Sequence, residues 1–259
     1  SMGREELLSI NPELEFDKIN FNLDIVSEYL ASLENDNNFP NHGFESISRE
    51  LKIIEIENSQ LEIESFRKIK IVVELGILHI KFLKKFKTYY KNIYLLTESL
   101  DLEKEIINQI NSVIDKYGFI KDNASSELLE IRKGINTAKS KIRQTFSSAL
   151  SSYNNSGYLD EIKESTIDNR RVLAVKAMYR RKIKGQMMGS SKTGSIVYIE
   201  PQETLVQSRK LQDLLYDEDQ ELKRILKELT AYLNPFKNTL LGYQNYLTHI
   251  DVIYSKAKY

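Results

Sequence analysis

The sequence contains no cysteine, and only four prolines and ten glycines interrupt its 259 residues. The absence of cysteine excludes disulfide bonds, thiolate metal sites and cysteine nucleophiles, and it fits a reducing compartment. No apolar run approaches the roughly 18 residues that a membrane span needs, and Glu5 and Glu6 stand where a secretory signal would have its apolar segment. We therefore expect a cytoplasmic protein that has no membrane partner.

The scarcity of helix-breaking residues and a charged fraction of 29% are typical of long solvated helices. Apolar residues recur at helical spacing in four segments: residues 14–30, 66–93, 102–114 and 236–259. The third of these predicted helices ends at Tyr117-Gly118, where the glycine is placed to cap it. With 41% hydrophobic residues, such helices can enclose a substantial core.

Two further segments have apolar residues at alternating steps of three and four, which is the pattern of a coiled-coil seam. The first seam comprises Leu128, Ile131, Ile135, Ala138, Ile142 and Ala149, with Thr145 as its polar exception. The second seam comprises Leu211, Leu215, Leu222, Ile225, Leu229 and Tyr232, with Glu218 as its polar exception. We expect these two helices to pair antiparallel, and at ~1.5 Å per residue each would extend on the order of 40 Å.

The segment between the two seams has the composition of a small sheet. A strand-like run covers residues 172–179, and residues 196–199 form a β-branched and aromatic strand that ends at Pro201. The turns are assigned to three glycines: Gly185, Gly189 and Gly194. The sequence therefore predicts a mainly α fold, in which a multihelical core carries two long antiparallel helices with a small antiparallel β-sheet inserted at their tip.

The predicted sheet is strongly basic. Residues 170–192 carry eight basic side chains and no acidic one, although the formal net charge of the chain is zero. A basic sheet between two helices can contact a nucleic-acid backbone, where phosphate contacts supply affinity. The alternative is a solvated charged surface without a ligand. The candidate phosphate contacts are Lys176, Arg180, Arg181, Lys182, Lys184 and Lys192, assisted by the hydroxyls of Ser190, Ser191 and Thr193.

No catalytic residue, metal site or cofactor site is predicted in this chain. The segment from Gly185 to Thr193 superficially resembles a phosphate-binding loop, but Ser191 stands where that pattern needs a glycine. Lys192 also leads into a predicted strand, whereas a phosphate-binding loop opens a helix. The three histidines are isolated from one another and lack metal-ligand spacing: His42, His79 and His249.

The most specific motif of the sequence is Ser191-x-Thr193-Gly194-x-Ile196-Val197-Tyr198-Ile199-Glu200-Pro201, preceded by Val175-Lys176-Ala177-x-Tyr179-Arg180 and Lys184-Gly185. Three further segments accompany it: Leu14-Glu15-Phe16-Asp17-Lys18-Ile19, the stretch from Gly118 to Arg132, and Glu218-x-x-x-Glu221-x-x-x-Ile225-Leu226. Together they resemble the core, lever and clamp regions of the MutS family of DNA mismatch repair-like ATPases, and most closely its shorter MutS-two class. The resemblance spans nearly the whole chain.

The resemblance implies a division into four regions. These are a helical core over residues 1–123, an ascending lever helix over 124–164, a β clamp over 165–201, and a descending lever helix that returns to the core over 202–259. In the family an ATPase domain follows, which uses ATP and Mg and drives opening and closing through dimerisation. This chain ends about where that domain would begin, so we expect it not to hydrolyse ATP.

The resemblance also implies a function, namely a nucleic-acid-binding lever and clamp module that holds the backbone of duplex or branched DNA. The MutS-two class is associated with rescue of stalled ribosomes as well, so ribosomal RNA is an alternative partner that the sequence does not separate from DNA. A third hypothesis is a coiled-coil structural or dimerisation module. Ala174 stands where the family often has proline, and Gln207-Ser208 stands where an asparagine pair is common.

Overall fold

The computed structural model describes residues 2–9, 12–34 and 38–259, and the chain divides into two compact units. The first unit comprises Ser1–Ala124 and Lys223–Tyr259, and the second comprises Ser125–Leu222. Helices dominate the described residues, and their strands form one antiparallel sheet. The prediction of a mainly α fold with a small antiparallel sheet is therefore confirmed.

The elements follow one another along the chain with these bounds. The helices are α1 (Met2–Ser9), α2 (Phe16–Glu34), α3 (Ser48–Ile54), α4 (Ile63–Lys85), α5 (Lys91–Leu95), α6 (Lys104–Val113), α7 (Ser126–Asn155), α8 (Gln202–Leu233) and α9 (Lys237–Lys258). The strands are β1 (Leu159–Ile167), β2 (Arg170–Lys176), β3 (Gly185–Ser190) and β4 (Ile196–Pro201). Two short 3₁₀ helices cover Ala177–Lys182 and Asn234–Phe236. No helix in the described ranges is both long and apolar enough to cross a membrane.

The core of the first unit forms where α9 packs against α2 and α4. A close approach of α4 and α9 is at Gly76, where an added Cβ would lie 2.6 Å from the ring of Tyr243 on α9. Any larger residue would push these helices apart. Five side chains of α4 that are fully buried or nearly so continue the core at helical spacing: Phe66, Ile69, Val73, Ile77 and Leu83.

Two expectations for the first unit were wrong in detail. The helix predicted over residues 66–93 ends at Lys85 and resumes at Lys91, because the chain turns where Tyr90 packs its ring against Phe39 at a centroid distance of 5.1 Å. Gly118 does not cap a helix, since α6 already ends at Val113. Its positive φ of 86° instead serves a turn in which the Asp115 carboxylate accepts hydrogen bonds from two backbone N–H groups.

In the second unit, α7 and the first part of α8 run antiparallel, as predicted. The Ser125 hydroxyl, which caps α7 by accepting from the Leu128 N–H, donates to Glu221 Oε1 at 2.6 Å. Farther along α7, Arg132 Nε donates to Glu218 Oε1 at 2.7 Å. A later residue of α7 thus contacts an earlier residue of α8, which is the pattern of antiparallel helices. The pairing with Arg132 also explains why a polar residue, Glu218, occupies a position of the predicted seam.

The predicted register of the second seam was partly wrong. Leu215 is 44% exposed, and the neighbouring Leu214 packs against α7 at Gly134 instead. On α7 the seam follows the prediction, and the side chain beside the predicted exception Thr145, Phe146, is fully buried. The difference arises because α8 turns the charged residues Glu218 and Glu221 as well as Leu214 toward α7, and apolar spacing alone does not register charged residues.

The sheet has the strand order β1-β2-β4-β3, and all its neighbouring strands are antiparallel. The sequence missed β1, which is mostly polar: α7 ends at Asn155 and β1 begins at Leu159. The β1–β2 hairpin turns at Asp168 and Asn169, whose φ angles of 48° and 59° fit a tight two-residue hairpin.

Three expectations for the sheet residues also need correction. Tyr179, predicted in a strand, lies in the 3₁₀ helix Ala177–Lys182. Gly185 and Gly189, predicted in turns, lie in β3, and only Gly194 occupies a turn, with a φ of 70°. Gly185 is required for a different reason, because an added Cβ would lie 2.2 Å from the backbone oxygen of Glu200. The β3–β4 pairing is too close there for a side chain.

His79 on α4 is fully buried, and both of its ring nitrogens have partners. A carbonyl oxygen can only accept, so Nε2 donates to the Asn41 carbonyl at 3.1 Å, and Nδ1 accepts from the Tyr246 hydroxyl at 3.2 Å. Burial lowers the pKa of His79 from 6.5 to about 4. Burial also lowers the pKa values of His42 and His249, so all three histidines resist protonation in the folded protein.

We predict that the protein loses stability as the pH falls from about 6.5 toward 4. The unfolded chain binds protons on its histidines near pH 6.5, whereas folded His79 binds one only near pH 4, so acid favours unfolding. His79 alone contributes a slope of about 1.4 kcal/mol per pH unit in this window. Urea denaturation between about pH 7.5 and 5 measures the slope, and His79→Gln should reduce it. An unchanged slope in that variant would contradict the assignment.

Candidate nucleic-acid interface

Five of the nine predicted contact residues meet at one end of the sheet, which we call the turn end. Lys176 is the last residue of β2 and pairs with Ile196, the first residue of β4. Ser190 ends β3 and pairs with Val197. The connection from β3 to β4 then carries the remaining three: Ser191, Lys192 and Thr193. The sheet topology thus brings Lys176 and Lys192, which are 16 positions apart in the sequence, to the same end of the sheet.

The hydroxyl groups at the turn end hold the β3–β4 turn together. Ser191 Oγ accepts a hydrogen bond from the Ile196 N–H at 3.2 Å, and its backbone N–H donates to the Ile196 carbonyl at 2.9 Å. Thr193 Oγ1 lies 2.8 Å from the hydroxyl of Ser195. Lys192 is exposed at the centre of this turn. The hydroxyls therefore fix the loop that presents Lys192, a role that the sequence did not predict for them.

Arg180, Arg181 and Lys182 project from the 3₁₀ helix that connects β2 to β3, and all three are exposed. The connection crosses β4, because β2 and β3 lie on either side of that strand. It is anchored by Ile183, which is 6% exposed in the cluster of apolar side chains beneath it, and by Tyr179, whose ring lies 4.9 Å from that of Tyr158. Apolar residues thus hold the connection on the sheet while its three cations face solvent.

Lys184 lies away from the turn end. Its carbonyl accepts from the Gln202 N–H at 3.0 Å, and the next residue, Gly185, pairs with Pro201 at the opposite end of β4. The prediction that Lys184 lies near a hairpin turn is therefore wrong. Its side chain is exposed, as are those of Lys176 and Lys192.

The remaining two of the eight basic residues stabilise the sheet. Arg170 Nη1 lies 3.0 Å from the carboxylate of Glu200, which is 1% exposed and accepts a second hydrogen bond from the Ser208 hydroxyl at 2.6 Å. Arg171 lies over the Phe146 ring at 4.2 Å and pairs with Glu164 at 2.6 Å. These contacts compensate both charges, and they leave the Arg171 side chain 38% exposed.

The other six cations form what we call the basic tip: Lys176, Arg180, Arg181, Lys182, Lys184 and Lys192. Within the part of the chain that the structure describes, no carboxylate lies within salt-bridge distance of any of them. Exposed and uncompensated cations on one small sheet and its connections attract an anion with several charges. The arrangement suits phosphate groups, which accept hydrogen bonds from Arg and Lys.

A basic stretch of α7 escaped the sequence prediction. Residues 131–159 contain five basic residues and no acidic one. This charge pattern was visible in the sequence, but the segment was interpreted only as a coiled-coil helix. Among them, Lys139 and Arg143 are exposed and four positions apart, and so share one face of α7. Among the described residues, no group of three His, Cys, Asp or Glu side chains is arranged to hold a metal ion.

The fold and the site together define a mainly α protein with a small basic sheet. Along the chain this sheet lies between two long helices that run antiparallel. Curated relatives match along the whole chain. A protein named endonuclease MutS2 from Aquifex aeolicus strain VF5 is 27% identical over an alignment of 263 residues, which covers 99% of this chain and 33% of that protein. A putative endonuclease MutS2 from Bacillus subtilis strain 168 is 30% identical over 267 residues, covering 100% of this chain and 33% of the relative.

An endonuclease MutS2 from Staphylococcus aureus strain JH9 is 27% identical over 271 residues and again covers 100% of this chain and 33% of the relative. No protein-family model matches the chain. The chain spans about a third of the length of the curated relatives it matches. These findings confirm the resemblance drawn from the sequence: the chain is similar along its whole length to proteins named MutS2.

The two arginine–glutamate pairs of the sheet give a matched test of burial. We predict that Glu200→Ala lowers the free energy of unfolding by about 3 kcal/mol, because it leaves Arg170 without its carboxylate in a buried site. Glu164→Ala should cost no more than about 1 kcal/mol, because side chains of that pair are 38% and 39% exposed. Chemical denaturation of both variants measures the difference. Equal losses would show that the Glu200 pair is not the stronger restraint.

Proposed function

We propose that this chain binds the backbone of DNA through its basic tip, as the lever and clamp module of a MutS-like DNA repair or recombination ATPase. The observation that carries the proposal is the set of six exposed cations on one small sheet, for which the described residues supply no carboxylate partner. Backbone contacts carry little sequence information, so we expect duplex or branched DNA to bind with little sequence preference.

Nucleic acid is favoured over other polyanions because of the relatives. Proteins named endonuclease MutS2 act, by that name, on nucleic acid, and they are similar to this chain along its whole length. They are about three times as long as the chain. We propose that this part of such a protein contributes DNA binding and no catalytic step, and that ATP, Mg and dimerisation belong to the full-length parent.

The geometry supports two groups of phosphate contacts. Lys176 and Lys192 at the turn end form one group, and Arg180, Arg181 and Lys182 on the connection between β2 and β3 form the other. Each arginine can hold one phosphate with two parallel N–H donors, whereas a lysine acts as a point charge. Because the sheet and its apolar cluster fix the backbone beneath both groups, binding requires ordering of side chains only.

We predict that DNA affinity falls steeply with salt and depends on the connection arginines. If about five phosphates are neutralised, the slope of log affinity against log salt is about −4.5 for duplex DNA. The variant Arg180→Ala/Arg181→Ala/Lys182→Ala should weaken binding by at least about tenfold and reduce the magnitude of the slope by about three. Fluorescence anisotropy with a four-way junction and a linear duplex, at about 50 and 200 mM salt, measures both quantities.

A charge-matched control removes three exposed lysines from the first unit, as Lys52→Ala/Lys81→Ala/Lys84→Ala. This variant should bind DNA almost as well as the unmodified chain. Equal weakening in both triple variants would reduce the effect to net charge and overturn the proposal. Binding of ribosomal RNA in preference to both DNA probes would redirect it to a ribosomal partner.

A further inference from the structure

A second candidate site lies within the second unit. It is a cavity of about 550 Å³ lined by α7, the β1–β2 hairpin, the end of β4 and the first turns of α8. This volume falls in the range of small-ligand pockets. None of the six residues of the basic tip lines it. One wall is apolar and is formed by Ile142, Leu211 and Leu215.

Cationic side chains line the same cavity. Lys139 and Arg143 are exposed on one face of α7, and in the described part of the chain neither has a carboxylate within salt-bridge distance. Arg171 also lines the cavity. Its Nε and Nη2 groups donate to Glu164, which leaves the N–H groups of Nη1 available on the same guanidinium.

The carboxylates that line the cavity do not cancel this charge. Glu200 is already neutralised by Arg170 and by the hydroxyl of Ser208. Asp168 is exposed in the hairpin turn and opposes the two cations Lys139 and Arg143 with a single negative charge. With Arg170 included, four basic and two acidic side chains line the cavity, which therefore favours an anion.

We propose that this cavity binds a nucleotide unit. Its phosphate accepts hydrogen bonds from Lys139, Arg143 and the open N–H groups of Arg171. Its sugar and base lie against the apolar wall, and the base can stack on the Arg171 guanidinium, whose other face covers the Phe146 ring. The combination of a planar cation, free cationic donors and an apolar wall matches the mixed chemistry of a nucleotide.

The nucleotide unit has two sources, a free nucleotide or an unpaired nucleotide of a nucleic-acid strand. With a strand as the source, the site deepens the proposed function and rests on it, because it adds a contact to unpaired DNA beside the backbone contacts of the basic tip. Branched DNA contains such unpaired segments. The chemistry of the cavity itself is independent of the basic tip, so the two can be tested separately.

The test uses the full 259-residue chain with two probes, a fluorescent derivative of adenosine monophosphate and a short single-stranded oligothymidine. Lys139→Ala/Arg143→Ala should weaken binding of the responding probe by about tenfold or more, since two charge-assisted hydrogen bonds are lost. The matched control is Lys133→Ala/Lys141→Ala, which removes two exposed cations from the same helix. Lys141 lines a different groove, so this pair should change affinity less than about twofold.

Leu215→Glu provides a second variant, because it adds a carboxylate to the apolar wall at a side chain that is 44% exposed and so leaves the fold intact. It should also weaken binding, with an unchanged circular dichroism spectrum. Selective loss with the monophosphate identifies a free nucleotide as ligand, and selective loss with the oligonucleotide alone identifies a strand. Equal loss in both α7 pairs, or no binding of either probe to the unmodified chain, would overturn the proposal.

The variant Arg180→Ala/Arg181→Ala/Lys182→Ala separates this proposal from the function of the basic tip. It should leave binding of the monophosphate unchanged, because none of its three residues lines the cavity. If the tip variant binds duplex DNA as tightly as the unmodified chain while Lys139→Ala/Arg143→Ala still abolishes nucleotide binding, the proposed function is wrong and the nucleotide site is supported. Loss of monophosphate binding in the tip variant would show that the probe occupies the tip and would overturn the cavity as its site.

Discussion

The carboxylate of Glu200 lies at the end of β4, almost fully buried, and accepts from Arg170 of β2 and from Ser208 of α8. Arg170 also donates to Gln212, one turn farther along α8. A buried carboxylate without a partner would destabilise the fold by several kcal/mol. The contacts of Glu200 therefore hold β2, β4 and α8 in one arrangement. The exposed cations of the sheet depend on this constraint, because it fixes the backbone from which they project.

The second unit sorts its charges by burial. Arginines that precede apolar strand residues are drawn inward and paired, as Arg171 is with Glu164 and with the Phe146 ring. Cations on turns and connections remain in solvent without a carboxylate partner among the described residues. One continuous basic segment of the sequence therefore contains two kinds of residue, those that stabilise the sheet and those available to a ligand.

Much of the fold was predictable because packing imposes a period on the sequence. The seam on α7 and the buried positions of α4 follow the helical repeat, although the helix predicted over residues 66–93 ends at Lys85. The strand β1 was missed because its exposed, mostly polar residues carry no hydrophobic alternation. The break after Lys85 was missed because the buried side chains on the two sides of the turn, Leu83 before it and Tyr90 after it, keep the apolar spacing of a continuous helix.

The sequence by itself determined the fold class, the antiparallel helices and the basic character of the sheet, since periodicity, turn residues and charge are local properties of a chain. Its resemblance to the MutS family followed from local motifs in the same way. Only the tertiary structure decided which cations are free, because pairing depends on partners that are distant in sequence, such as Glu200 for Arg170. It also separated Lys184 from Lys192, since strand order, and not sequence distance, sets which ends of a sheet lie together.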